Sequence, residues 1–139
     1  MNRCVVLDAE AMSALGDRPS RRQREVRAAL SAAARLARDV IVPAVVLAEL
    51  YRGRGHSQLV DACLSRETGI HVRVTDRTFA RFVGGVLAAV RAGSALMVDA
   101  HVVAAAVEAG GGIVLTADPE DMERLAAPYR NVHVVDISG

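Results

Sequence analysis

Five short runs rich in β-branched residues punctuate this chain, and helical spacing follows all but the last. They are Arg3–Leu7 (RCVVL), Asp39–Val42 (DVIV), Ile70–Val74 (IHVRV), Ile113–Thr116 (IVLT) and Val132–Val135 (VHVV). Strands joined through helices return in the same direction, so the sheet is expected to be mainly parallel with helices on both faces. The expected class is therefore α/β, three layers deep, with about five short strands. In such sheets function collects beyond the carboxyl ends of the strands. Asp8 and Asp118 both fall at such ends.

The helical segments follow from period and punctuation. Ala9–Leu15 follows the first strand, and residues 16–20 (GDRPS) read as a loop. Arg21–Arg38 carries Val26, Leu30, Ala33, Leu36 and Ala37 on one face and arginines on the other, which predicts a solvated basic face. Pro43 suits a first helical turn, so Ala44–Tyr51 is predicted helical and ended by Gly53 and Gly55. Ser57 is the expected N-cap of Gln58–Arg66. In Ile70–Val74 apolar residues alternate with His71 and Arg73, the pattern of a strand near an edge. Thr75 or Asp76 is predicted to cap a helix running to about Arg91, and Ala95–Ala109 forms another, closed by Gly110–Gly112. A last helix opens at Asp118-Pro119-Glu120-Asp121 and runs to about Leu125. No internal repeat interrupts this order, and 1–139 is expected to form one domain.

Composition removes several function classes. All 17 basic residues are Arg, so there is no P-loop lysine, Schiff-base lysine or lysine general base. A net charge of +1 carries no global field for nucleic acid, and any such binding must come from a local patch. Cys4 and Cys63 make neither a disulfide framework nor a zinc site, and Cys4 is expected to be a buried small hydrophobe. His56, His71, His101 and His133 share no ligand spacing. Asp8 and Glu10 break up the apolar start, which argues against a signal peptide, and no apolar run reaches the ~18 residues of a membrane span. The cytoplasm is the expected compartment.

Four carboxylates stand out, each beside a plainer explanation. Asp8, straight after VVL, is either a site residue or a helix N-cap. Glu49 follows Val45 and Val46 by helical spacing, so it either pairs with Arg52 three residues on or serves a cation. Asp99 has Ala95, Leu96, Val102 and Val103 at helical spacing. A lone carboxylate in that setting is costly, and a metal ion, an Arg partner or an N-cap position would each compensate it. Asp118, before Pro119 and three residues ahead of Asp121, reads as a helix cap that can also face the crevice. Arg52 and Arg54, just beyond Glu49, are the arginines placed to touch a phosphate backbone.

Converging carboxylates raise one another's pKa, and a divalent cation reverses that balance. Mg²⁺ and Mn²⁺ favour carboxylate oxygens and water, and Mg²⁺ keeps several waters, which suits hydrolysis. Such a site needs no Lys, Ser or Cys.

At these residues the chain resembles the PIN-domain family, and within it the VapC-like toxin ribonucleases of type II toxin–antitoxin pairs. The matching stretches are VVLDAEAMSAL (5–15), VVLAELYRG (45–53), VDAHVVAAAVEAGGGIVLTADPEDMERL (98–125) and VHVVDI (132–137). Their order and spacing cover essentially the whole chain. The resemblance implies a PIN-like α/β/α fold and an acidic pocket of Asp8, Glu49, Asp99 and Asp118, the catalytic and metal-binding set. It implies support from Thr116, with Asp121 completing the T-x-D-x-x-D motif. It further implies Mg²⁺ or Mn²⁺, endonucleolytic cleavage of RNA, a homodimer and a small antitoxin partner. The chain departs from the family at Asp8-Ala9-Glu10, where Thr or Ser usually follows the first Asp, so a hydroxyl is lost and Glu10 becomes a possible extra ligand.

Two rivals are weaker. A response-regulator receiver needs a lysine, and a haloacid-dehalogenase-type phosphatase needs D-x-D after the first strand, where this chain reads Asp8-Ala9-Glu10. A catalytically weak PIN-like module that binds RNA or protein stays open because of Ala9, and DNA stays open as a substrate.

Overall fold

The computed structural model describes residues 3–52 and 54–138, excluding the side chains of 54–56. Its centre is a sheet of five strands: β1 (Cys4–Leu7), β2 (Asp39–Pro43), β3 (Ile70–Arg73), β4 (Gly112–Thr116) and β5 (Val132–Asp136). Their spatial order is β3-β2-β1-β4-β5, and every neighbouring pair is parallel. The apolar runs thus do form a parallel sheet, and the alternating β3 lies at its edge as predicted.

Helices cover both faces, giving an α/β/α sandwich. On one side lie α1 (Ala9–Gly16), α2 (Arg21–Arg35) and α4 (Arg54–Arg66); on the other lie α5 (Arg77–Ala89), α6 (Met97–Glu108) and α7 (Pro119–Ala126). The short α3 (Ala44–Leu50) follows β2 and touches α1, α4 and α6. Between the layers the core is Val-, Ala- and Leu-rich, and Phe79 is its largest buried side chain. Residues 100–106 of α6 are all buried, because that helix lies over β1, β2 and β4 under α5 and α7. Small side chains allow this close stacking. At Gly112 the approach is closer still: a Cβ there would stand 2.5 Å from the Cys4 carbonyl oxygen and sulfur. Cys4 is fully buried, and burial pushes its thiol up to about 11, so it behaves as a hydrophobe rather than a nucleophile.

Several boundaries differ from the sequence expectation. Helix α2 stops at Arg35, not Arg38, because Ala37 turns left-handed at φ 53° and the Arg38 N–H returns to the Ala33 carbonyl at 2.8 Å. Arg91 does the same at φ 54° after α5, which ends at Ala89. Helix α4 begins at Arg54, so Ser57 lies inside it and is not its N-cap. A helical glycine costs about 1 kcal/mol, less than burying Val60 and Cys63 on the same helix returns, so Gly55 does not break it. Gly53 lies outside the described residues. Pro43 ends β2 and occupies the N-cap of α3 instead of its first turn. A single 3-10 turn, Ser94–Leu96, precedes α6. Asp76, one of the two candidates, caps α5 by accepting from the Phe79 N–H at 2.8 Å. Among the described residues no helix is long and apolar enough to cross a membrane.

Candidate active site

Strand order reverses at β1: the chain builds β1, β2 and β3 to one side, then sets β4 and β5 on the other. Such a switch point leaves a crevice beyond the carboxyl ends of the two central strands. Asp8 sits directly past β1 and Asp118 two residues past β4. The Asp8 N–H bonds the Leu115 carbonyl at 3.3 Å, tying the two strand ends together.

Both explanations of Asp8 hold. Its Oδ1 accepts from the Ala11 N–H at 2.8 Å, an N-cap bond that opens α1, and the residue is only 5 % exposed. Burial raises its pKa, opposed by the Thr116 hydroxyl, the Ala11 and Glu10 amides and the charge of Arg22. Asp118 stands at the N-cap position of α7, yet its side chain makes no capping bond there. Instead the buried Thr116 hydroxyl takes the Asp118 N–H at 3.0 Å, so Thr116 sets the turn through the backbone and the exposed carboxylate is left for the crevice.

Asp99 enters from the opposite face, in the first turn of α6, which runs back across the sheet. It is half-buried, and neither the N-cap position nor the arginine pair considered for it is found among the described residues. It is three residues into α6 rather than an N-cap, and the charges acting most on it are carboxylates. Burial comes first in raising its pKa to about 6, followed by Asp8, Asp121, Asp118 and Glu49. Glu49, in the last turn of α3, also lacks the expected partner: Arg52 Nε bonds its backbone carbonyl at 2.8 Å, not its carboxylate. Glu10 is raised by burial, then by Asp8, with Asp118 and Asp136 adding and Arg22 opposing. Carboxylates carried by several elements thus act on Asp99 or Glu10, all from positions the sequence had marked except Asp136.

Among the described residues no three His, Cys, Asp or Glu side chains stand close enough to hold a metal ion as placed. The donor chemistry nonetheless fits a hard divalent ion. The groups are carboxylates, a hydroxyl lies beside them, and negative charge around Asp99 is uncompensated. Mg²⁺ is commonly bound through one or two carboxylates with water and substrate phosphate filling the remaining positions, so a closed cage is not required.

A model of the PIN domain matches residues 5–128. The chain belongs to the PIN-domain family. PIN domains are generally nucleases, so membership supports hydrolase activity. No curated protein matches this chain by sequence. Among solved structures, a chain of VapBC2 from Rickettsia felis, bound to a DNA fragment from its promoter, aligns with TM-score 0.65 at 13 % identity, over 96 % of this chain and 98 % of that one. FitAcB from Neisseria gonorrhoeae gives 0.63 at 16 %, over 96 % and 98 %. DNA-bound VapBC from Salmonella typhimurium gives 0.63 at 15 %, over 99 % of each chain. At these identities the likeness is one of fold.

Within this PIN domain the residue after Asp8 is Ala9, and the hydroxyl beside the first carboxylate comes from Thr116 on β4 instead. Two groups at the crevice escaped the sequence reading. Asp136 ends β5. Arg22, on α2, belongs to a helix whose arginines were assigned to a solvated face; Arg21, Arg24, Arg27 and Arg35 are exposed, but Arg22 is half-buried and acts on Asp8, Glu10 and Asp136. Its helical period carried the signal: Arg22 stands four residues before the buried Val26 and shares the apolar stripe of α2 with Val26 and Ala33, not the face of Arg24 and Arg27. Arg52 is exposed, and the Arg54 side chain lies outside the described residues.

Proposed function

We propose that this PIN domain is a Mg²⁺- or Mn²⁺-dependent endoribonuclease, the toxin of a toxin–antitoxin pair, acting as one unit over 1–139. The observation that carries the proposal is Asp99: a half-buried carboxyl at the switch point whose listening charges are four other carboxylates. Burying like charges together costs stability, and a cation that binds there repays it.

Asp8, Glu49, Asp99 and Asp118 are the residues that would hold the ion, with Glu10 and Asp121 at the rim and Thr116 fixing the turn that presents Asp118. A bound Mg²⁺ or Mn²⁺ ion would supply an activated water and offset charge on the phosphoryl and leaving oxygens. Asp8 is held by its cap bond to Ala11, and Asp99 by its place in a helix whose residues 100–106 are buried. Rigid ligands from opposite faces of the sheet keep the crevice open to a strand of nucleic acid lying across it. The choice of RNA rests on the VapC-like resemblance, and so does the cytoplasm as the place of action. A small antitoxin partner rests on that resemblance and on the two-component assemblies in which the similar folds were solved. A homodimer through helical faces is supported by apolar surface on α5, where Phe82 is exposed.

A second reading, a PIN-like module that binds RNA or protein without cutting, draws on Ala9 and on the lack, among the described residues, of a ready-made trio of ligands. One experiment separates them. Purified protein incubated with random-sequence single-stranded RNA, and with the matching DNA, should cut RNA in Mn²⁺ and leave it intact in EDTA. Expression should slow bacterial growth, and a co-expressed small partner should restore it. Intact RNA in Mn²⁺ from folded protein refutes the enzyme; cut DNA with intact RNA corrects the substrate.

A further inference from the structure

We infer that Arg22 is a substrate-binding residue that grips a backbone phosphate flanking the one being cut, on the α1–β5 side of the crevice. This rests on the nuclease proposal above and extends it to how the strand lies.

The start of α2 is fixed in place. Ser20 caps it, its Oγ accepting from the Gln23 N–H at 3.1 Å, while Gln23 Nε2 donates to the Asp17 carbonyl at 2.8 Å. The helix packs on α1 and β1, the elements that carry Asp8 and Glu10. Arg22 lies in this first turn, half-buried, and makes no hydrogen bond or ion pair among the described residues. Its neighbours on the same helix are occupied differently: Arg21 pairs with Glu25 at 3.4 Å and Arg27 with Glu67 at 3.1 Å. The positive charge of Arg22 reaches Asp8, Glu10 and Asp136, whereas the charges acting most on Asp99 are all carboxylates. The crevice is therefore electrically lopsided, with an unsatisfied guanidinium at the β5 side and unrelieved negative charge at the α6 side.

A single strand carries a negative charge at every link and cannot enter a carboxylate crevice unaided. An ion held among the carboxylates would offset one phosphate, while Glu10 and Asp136 would still repel its neighbour. A guanidinium with free donors, set at that edge, meets it with a bidentate fork. Holding a long side chain half-buried without a partner costs desolvation, which a phosphate contact recovers.

The test measures binding of fluorescent random-sequence single-stranded RNA in Ca²⁺, with the strand checked intact on a gel, over a series of salt concentrations. Arg22→Gln should weaken binding about fivefold at low salt and reduce the log–log salt slope by about 0.7, the loss of one phosphate contact to a single strand. Arg22→Lys should keep the slope, because the charge remains. Arg24→Gln, on the exposed face, should change neither. Circular dichroism checks the fold, and Arg22→Met, which keeps the aliphatic stem, replaces Arg22→Gln if that variant does not fold. An unchanged slope in the neutral variant, or an equal drop in Arg24→Gln, overturns the role of Arg22 while leaving a wild type that cuts RNA as the nuclease proposed. A wild type that neither binds nor cuts removes both.

Discussion

Asp99→Asn is expected to lower RNA cleavage by more than about a hundredfold and, in the same protein, to raise the melting temperature measured in EDTA. The loss follows from taking a charged ligand out of the crevice; changing groups one step removed from a metal already costs about 10–100-fold, and a ligand should cost at least the upper end. The gain follows from the burial and like charge that raise the Asp99 carboxyl to about 6. A carboxyl whose pKa is higher folded than unfolded destabilises the fold when ionised. That penalty is complete above about pH 6 and fades as pH falls toward the ordinary Asp range, because the folded state then takes up the proton first. Asn carries no such penalty. Since Asp99 is only partly buried, solvent screening reduces the benefit to about 1–2 kcal/mol, or a few degrees of melting temperature at neutral pH. The wild-type and Asn curves should converge between pH 6 and 4. If instead an unseen cation compensated Asp99, the Asn variant would melt lower, as expected when one partner of a buried pair is removed.

Metal should reverse that ranking. An ion that binds only the folded state adds about 2.7 kcal/mol at a concentration ~100 times its dissociation constant. The wild type should gain this in Mn²⁺ and Asp99→Asn little of it, so the variant that is the more stable in EDTA becomes the less stable in metal. Asp8→Asn should also lose the metal gain. Its EDTA stability should rise less than that of Asp99→Asn, because the Asp8 carboxylate also caps α1 through the Ala11 N–H at 2.8 Å. Function and stability thus pull apart most sharply at Asp99, where the charge keeps no structural bond among the described residues.

Much of this was legible because α/β architecture ties position to sequence order. Runs such as VVL and IVL are buried on both faces, so they announce parallel strands, and the residues just after them fall in the crevice. Asp99 was marked by polarity against period, a carboxylate where the helix required an apolar residue. Glu49 was marked the same way, and its alternative partner Arg52 turned out to bond the backbone. What escaped depended on long-range placement. Helix ends at Ala37 and Arg91 use left-handed residues other than glycine, which no local signal announces. Arg22 was grouped with the exposed arginines of its helix although it lies four residues before the buried Val26, and the carboxylates that packing brings near it are far off in sequence. Asp136 closes an apolar strand and reads as an ordinary strand end until β5 is known to lie next to β4.

The convergence of carboxylates on one divalent ion is tested most directly by calorimetric titration of Mn²⁺ into the metal-free protein, near pH 6 and near pH 7.5, in buffers of different ionisation heat. The wild type should bind the ion at both values. It should release more protons near pH 6, where the Asp99 carboxyl, held up to about 6, is still partly protonated and must give that proton up. Asp99→Asn should bind at least about a hundredfold more weakly and lose that buffer dependence. Equal affinity and equal proton release in the two proteins, or no Mn²⁺ uptake by folded wild type, would contradict a metal site at these residues.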